Sequence, residues 1–341
     1  MTSAYFFLPD TYDFQQATLV QGALDAGLQV VGSVASNYCA VERPVTDWLD
    51  LHDFNYIFYC ERTISHVLRL TGKVAQSTIV FVDGGDTQKI VWPLKAVASQ
   101  RFKREFPLTL VGQCPGIKGV GFGVENRYVH EFKPFLEREY LLSCMLRLDT
   151  NSFRKGLQGA VDILKETFGS KIFNGSTGEI SYTGTSPIPQ ATPKYSWILS
   201  NSCLSVSCHG AGQDTGRFWE ILGAGCFLFS QRLSIAIPDL PQDGEHCVYF
   251  QNEQDFLDKA NYYLKHLDEA EGIARAGQAF ALERASSRAR FDYIIKSIEN
   301  SAPHIPNWLE LLHIANHNLR LSYMHQLTRM TRKIAGNAWI S

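Results

Sequence analysis

The sequence predicts an α/β protein of two Rossmann-like domains followed by a C-terminal helical extension. Three observations carry that prediction. Short runs that are apolar at every position, rather than at alternate ones, mark strands covered on both faces, as in parallel sheets held between helix layers. Segments with helical periodicity separate those runs. At 341 residues the chain also exceeds the roughly 250 to 300 at which a single core stops growing, so two domains are expected.

The elements follow in order. AYFFL (4–8) is the first strand, a helix over 14–26 places Leu19, Ala23 and Leu24 on one side, and LQVVGSV (28–34) is the next strand. YIFYC (56–60), a helical 62–71 and TIVFVDGGD (78–86) continue the first domain. A boundary within 126–138 divides 1–132 from 133–300. In the second unit YLLSCML (140–146) is a strand, and in FRKGLQGAVDILKETF (153–168) Leu157, Val161 and Leu164 share one helical face. A Gly/Ser/Thr/Pro-rich stretch over 174–193, with a short strand at 179–183, leads to a helix over 194–201 and the strand CLSVSC (203–208). CVYF (247–250) is the next clear strand, and Asn252 caps a helix reaching His266. Beyond 285 everything reads as helix. In the extension, 301–341, the apolar residues Trp308, Leu312, Ala315, Leu319, Tyr323, Leu327 and Met330 form one stripe. It is expected to pack back onto the protein; self-association or peripheral membrane contact are the alternatives, because Arg329, Arg332 and Lys333 make that end basic.

Composition excludes several classes. With 45% hydrophobic and 19% charged residues the chain has material for sizeable cores and does not read as disordered. A formal charge of −2, without any dense run of Lys and Arg, offers no footprint for a dedicated nucleic-acid binder. The eight cysteines are scattered without a CxxC, as buried thiols in a reducing compartment are. MTSAYFFLPD lacks a signal peptide's basic start, and no run approaches the ~18 apolar residues of a membrane span, so the cytoplasm is the expected location. His313 and His317 lie four apart, but no acid stands with them as a third metal ligand, and packed or solvated histidines are the simpler reading.

The chemistry concentrates in residues 203–232, CLSVSCHGAGQDTGRFWEILGAGCFLFSQR. A buried strand ends at Cys208, and His209, Gly210, Ala211 and Gly212 form a small-residue turn whose amides can approach an anion. Asp214 or Thr215 then caps a helix whose positive end points at the same place. Strand end, glycine turn and helix N-terminus together suit a diphosphate. Many α/β turns contain glycines without binding phosphate, so both readings stand at this level. Glu220 has two readings as well: an acceptor of hydrogen bonds from a ribose diol, or an ordinary partner of Arg217 three residues earlier.

The block DTGRFWEILGAGCFLFSQ, followed by IPDLPQDGEHCVYF and by the Ala-Arg-Ala-Gly of IARAGQAF, resembles the donor-binding domain of bacterial GT-B glycosyltransferases of the group-1, CgeB-like (spore-maturation-protein) type. FKREF (102–106) and GFGVENRY (121–128) fit the same family, and the likeness spans roughly residues 100 to 297 with D-T-x-R-x-x-E at its centre. The resemblance implies two domains facing a cleft and transfer of a sugar from a nucleotide-sugar, UDP- or GDP-linked, to an acceptor. That acceptor is a glycan, lipid-linked glycan, protein or modified nucleic acid. It implies that Glu220 binds the ribose, that His209 to Gly212 hold the diphosphate with Asp214, Thr215 and Arg217, and that Arg154 and Lys155 face phosphate. No cofactor or metal is implied. The first loop, LPDTYDF, departs from the family's usual glycine-rich turn.

An inverting enzyme also needs a base on the first domain. Asp83 and Asp86 in VDGGD, and Asp10 and Asp13 after the first strand, lie where open α/β sheets place ligands, although aspartates there also cap turns and helices. VDGGD does not have the spacing of a metal-binding DxD. Two further functions stay open: an epimerase or hydrolase of sugar nucleotides on the same fold, and a non-catalytic nucleotide-sugar-binding scaffold.

Overall fold

The computed structural model describes residues 2–34, 41–74, 76–91, 98–147, 152–175, 193–301, 304 and 307–337. Its strands are β1 (Ser3–Phe6), β2 (Gln29–Gly32), β3 (Tyr56–Cys60), β4 (Thr78–Asp83), β5 (Gln100–Lys103), β6 (Ile117–Gly119), β7 (Tyr140–Met145), β8 (Ile172–Gly175), β9 (Ser202–Val206), β10 (Phe227–Gln231) and β11 (Val248–Phe250). The helices are α1 (Phe14–Asp25), α2 (Ile64–Val67), α3 (Ser152–Phe168), α4 (Pro193–Ser200), α5 (Gly216–Gly223), α6 (Glu253–Tyr263), α7 (Leu267–Arg284), α8 (Ser287–Glu299) and α9 (Trp308–Asn337).

Two all-parallel sheets result, ordered β2-β1-β3-β4-β5-β6 and β11-β10-β9-β7-β8. Counted within its own domain, each begins with the order 2-1-3-4-5, so each has a switch point between its first and third strands, and ligands bind outside the carboxyl ends of the strands there. The apolar runs of the sequence become these strands because both faces are covered. Phe6, Phe58, Val80 and Val82 pack under α1, while Tyr5, Ile57, Tyr59 and Phe81 pack on the opposite face with Trp48 and Leu51. In the second sheet Leu142, Leu204 and Phe227 meet α3, α6 and α7, and Leu228 and Tyr249 meet α5.

Four expectations change. The helix foreseen over 62–71 is the single turn α2, and the helix foreseen to reach His266 stops at Tyr263, with α7 starting at Leu267. The expected unit 133–300 loses its last helix by packing: Phe291 and Ile294 of α8 lie in the core of the first sheet with Leu19, Val20 and Ala23. The apolar stripe of the extension faces outward from Trp308 to Tyr323, with Trp308 74%, Leu319 67% and Tyr323 62% exposed, while α9 packs through Glu310 and Ile314; the side chains of Leu327 and Met330 lie outside the described residues. The strand expected at 179–183 lies outside the described residues, as does Cys39. Among the described residues every cysteine is free and buried, and no helix is long and apolar enough to cross a membrane.

Candidate functional site

The carboxyl ends of the two sheets face one another. Glu105, just after β5, accepts the Asp214 backbone N–H at 2.9 Å, and Arg104 donates to the Asp214 carbonyl and to Asp86. A Cβ on Gly212 would lie 2.5 Å from the Glu105 carboxylate and 3.1 Å from the Asp86 carbonyl. On Gly216 at the head of α5 it would lie 3.6 Å from the Phe14 ring of the first domain. Gly212 is therefore small because two domains meet there, a reason independent of any phosphate.

The turn after β9 is held from behind. Buried Arg154, at the start of α3, donates to the carbonyls of Arg147 (3.0 Å), Cys208 (3.4 Å) and His209 (3.1 Å), bridging the ends of β7 and β9 across the second switch point. The His209 N–H reaches the Gln231 amide oxygen at 2.9 Å, and Gly210 N–H closes the turn onto the Gly212 carbonyl at 2.8 Å. Burial pushes the His209 imidazole below its ordinary pKa, which leaves it neutral. Ala211 and Lys155 are exposed. Thr215 is the residue at the N-cap of α5, and its hydroxyl meets that of Ser207 at 3.2 Å rather than capping the helix.

Asp214 and Glu220 are both buried but differently used. The Asp214 carboxylate accepts the Phe122 N–H and the Trp219 indole N–H, both at 2.7 Å, so it ties the interdomain connection to α5. Glu220 accepts the Tyr195 hydroxyl on one oxygen at 2.5 Å, and its other oxygen lies 3.3 Å from where a Cβ on Gly216 would be, at the head of α5. Burial raises its pKa, against the Tyr195 hydrogen bond and the Arg217 charge. Arg217, partly buried, lies over the Tyr195 ring at 6.0 Å. Facing this group, Tyr12 donates to Glu125 at 2.6 Å and Arg127 donates to Tyr12 at 2.7 Å.

Of the candidate bases, Asp83 is buried and occupied by Lys103 Nζ at 3.0 Å and the Gly85 N–H at 3.0 Å. Asp86 is 59% exposed at the side chain and paired with Arg104. Asp10 is exposed on the loop after β1. Asp13 caps α1, accepting the Gln16 N–H at 3.0 Å, and pairs with Arg62 at 3.4 Å. At this first switch point stands a carboxylate outside the residues singled out in the sequence. Glu61, directly after β3, accepts the Gly84 N–H at 2.9 Å, and its pKa is pushed up to about 7 by burial, with the Asp83 and Asp13 charges adding to the effect. Beside it, both amide atoms of buried Gln15 make no hydrogen bond. Glu61, Glu105 and Tyr195 escape notice in the sequence because each acts on a segment far along the chain; the one local signal is that Glu61 ends an apolar strand.

A family model described as glycosyl transferase-like matches residues 178–296. A glycosyltransferase from Rickettsia africae ESF-5 superposes with a TM-score of 0.57 at 10% identity, over 88% of this chain and 99% of that one. Anabaena Alr3699/HepE, solved in complex with UDP-glucose, gives 0.54 at 12% identity, over 88% of this chain and all of that one. The fold is that of the GT-B glycosyltransferases. It is not confined to transferases: a structure from Listeria monocytogenes, described as a putative UDP-N-acetylglucosamine 2-epimerase, gives 0.51 at 12% identity, over 89% of this chain and 99% of that one. Comparison with curated proteins finds no match. The CgeB-like subfamily remains a resemblance carried by D-T-x-R-x-x-E.

Proposed function

We propose that this chain transfers a sugar from a UDP- or GDP-sugar to an acceptor held on the first domain. The observation that carries the reading is Glu220: a buried carboxylate on α5, fixed by Tyr195, beside Arg217, its second oxygen next to Gly216 at the head of the helix, where Phe14 of the first domain approaches. In this reading its free oxygen accepts from a ribose hydroxyl. The turn His209–Gly212, Thr215 and the first amides of α5 hold the diphosphate, and Arg217 meets the charge that grows as the glycosidic bond breaks. Those groups supply the stabilisation that a metal would otherwise give, so none is assigned. Arg154 acts through the turn whose carbonyls it holds, Asp214 acts as the joint between the domains, and exposed Lys155 has no assigned part.

For the acceptor proton the reading favours Glu61 over Asp83, Asp86 and Asp10. A base must be free of a permanent cation, sheltered and able to change charge near neutral pH. Asp83 and Asp86 are ion-paired and Asp10 lies in solvent, while Glu61 meets the three conditions at the switch point. The wide cleft beside the donor turn, described below, favours transfer over epimerisation, which needs no acceptor space.

Calorimetric titration with UDP, GDP and their glucose conjugates tests the donor site. Binding by wild type and a ten- to hundredfold loss in Glu220→Ala, about 1 to 3 kcal/mol, is expected. Equal affinity in the two proteins would remove Glu220 from the site, and no nucleotide binding at all would favour a scaffold.

A further inference from the structure

The extension is not an appendage. A cavity of about 850 Å³ lies between the donor-side turn of the second domain, residues 209–213, and a wall made of residues 86–89 with Leu321, Ser322, His325 and Gln326 of α9. That volume is near the upper end of small-ligand sites. α9 also fixes the rest of its own wall. The Asn318 amide brackets Ile90, accepting its N–H and donating to its carbonyl, both at 3.0 Å, and the His317 ring contacts the Gln88 carbonyl at 3.0 Å. Ile314, 4% exposed, seals the base against Ile90, Phe106, Leu110 and Ile117. The helix therefore both lines the cleft and orders the segment that carries the rest of the lining.

We propose that α9 and residues 86–90 form the acceptor subsite, and that the acceptor is an uncharged, hydroxyl-rich saccharide; the inference rests on the glycosyl-transfer reading above. The lining decides the class. Gln88, Gln213, Ser322 and Gln326 offer uncharged donors and acceptors side by side, with the His325 imidazole among them, the set that a polyol's hydroxyls satisfy. Asp86 and Glu105 share the single guanidinium of Arg104, and Lys89 is the one other Lys or Arg among the described lining residues, so carboxylates and cations balance and no positive excess is left for a phosphorylated acceptor. Among the described lining residues a lipid tail finds only Leu321 and Ala211, and a nucleic acid finds no Phe, Tyr or Trp ring to stack on.

The test uses the full chain saturated with UDP. Glucose, maltotriose, cellotriose and tri-N-acetylchitotriose serve as probes, read by saturation-transfer NMR, with UDP affinity measured separately by calorimetry. The triple variant Ser322→Ala, His325→Ala, Gln326→Ala changes surface side chains and should fold. It is expected to bind UDP as wild type does and to weaken the responding saccharide at least tenfold. Asn318→Ala should do likewise by releasing residues 86–90. Saccharide binding unchanged in the triple variant overturns the proposal, as does a wild type that binds UDP but none of the saccharides. A wild type that fails to bind UDP or GDP overturns the donor reading instead, and the calorimetric arm alone shows it.

Discussion

Glu61 follows β3 and Asp83 ends the adjacent parallel strand β4, yet their surroundings give them opposite chemistry. Asp83 has Lys103 against it; Glu61 has backbone amides, that of Gly84 at 2.9 Å, and two neighbouring negative charges. Glu61 binds its proton up to about 7 in the folded chain but only up to its ordinary 4.5 when unfolded, so between those values the native state holds more protons. Stability then falls as pH rises through that window, because the slope follows the protons bound unfolded minus those bound folded. Activity moves the other way, since a base must be ionised: the rate of transfer should rise through about 7. Glu61→Gln should abolish both trends, flattening the stability profile and leaving a low, pH-insensitive rate; a retained acidic limb in the rate profile would exonerate Glu61. Asp214 makes a second prediction. Both its carboxylate oxygens accept buried N–H groups, so Asp214→Asn forces an amide N–H against a donor and should cost about 1 to 3 kcal/mol in urea unfolding. The spacing D-T-x-R-x-x-E showed that Asp214, Arg217 and Glu220 belong to one loop and helix. It could not show that Asp214 faces Phe122 while Glu220 faces Tyr195, because those partners are supplied by remote segments.

Elements whose burial is apolar were legible, and elements whose burial is ionic were not. β1, β3 and β4 appear in the sequence within unbroken apolar runs, β9 as a run broken only by serines, and all four are internal strands in the structure. β5 reads Gln-Arg-Phe-Lys, with Arg101 7% and Lys103 2% exposed, and no hydrophobic pattern finds a strand whose lysine is buried because Asp83 neutralises it. β6 has three residues, too few for any period. The stripe on α9 was visible, but what holds that helix down is Glu310 with His304 at 2.6 Å, Asn318 and His317, polar groups whose partners lie on other segments. Packing of α8 on α1 yields the prediction at this scale. A Cβ on Gly22, inside α1, would lie 2.2 Å from the Ser287 carbonyl oxygen and 2.6 Å from Phe291 Cβ. Alanine at an exposed helix position gains up to about 1 kcal/mol over glycine, whereas overpacking costs about 1 to 3. The nearest atom is backbone and cannot swing aside. Gly22→Ala should therefore lower the midpoint of thermal unfolding, and a rise would mean that α8 does not sit on α1.

For the whole molecule the question is whether two domains unfold as two. Each has its own cores on both faces of its own sheet, and multidomain chains commonly lose their parts separately. Three features oppose that here. The chain crosses between domains twice, and the crossings pair: Val124 accepts the Ser287 N–H and donates to the Ala285 carbonyl at 2.7 Å. α8, which follows the second domain in sequence, completes the core of the first, so unfolding either end of α8's connection exposes Phe291 and Ile294. Arg104, fully buried, joins Asp86 and Glu105 of its own domain to the Asp214 carbonyl of the other, and separating the domains would strand that charge. Breaking one side of such a buried ionic joint costs about 3 to 5 kcal/mol, comparable with a fair fraction of a domain's stability of about 5 to 15. Calorimetry of wild type should consequently show one heat-absorption peak. In Arg104→Ala the same scan should broaden or split into two. Two resolved peaks in wild type would mean that the joint is weaker than the cores it links, and that opening the cleft requires no loss of native structure in either domain.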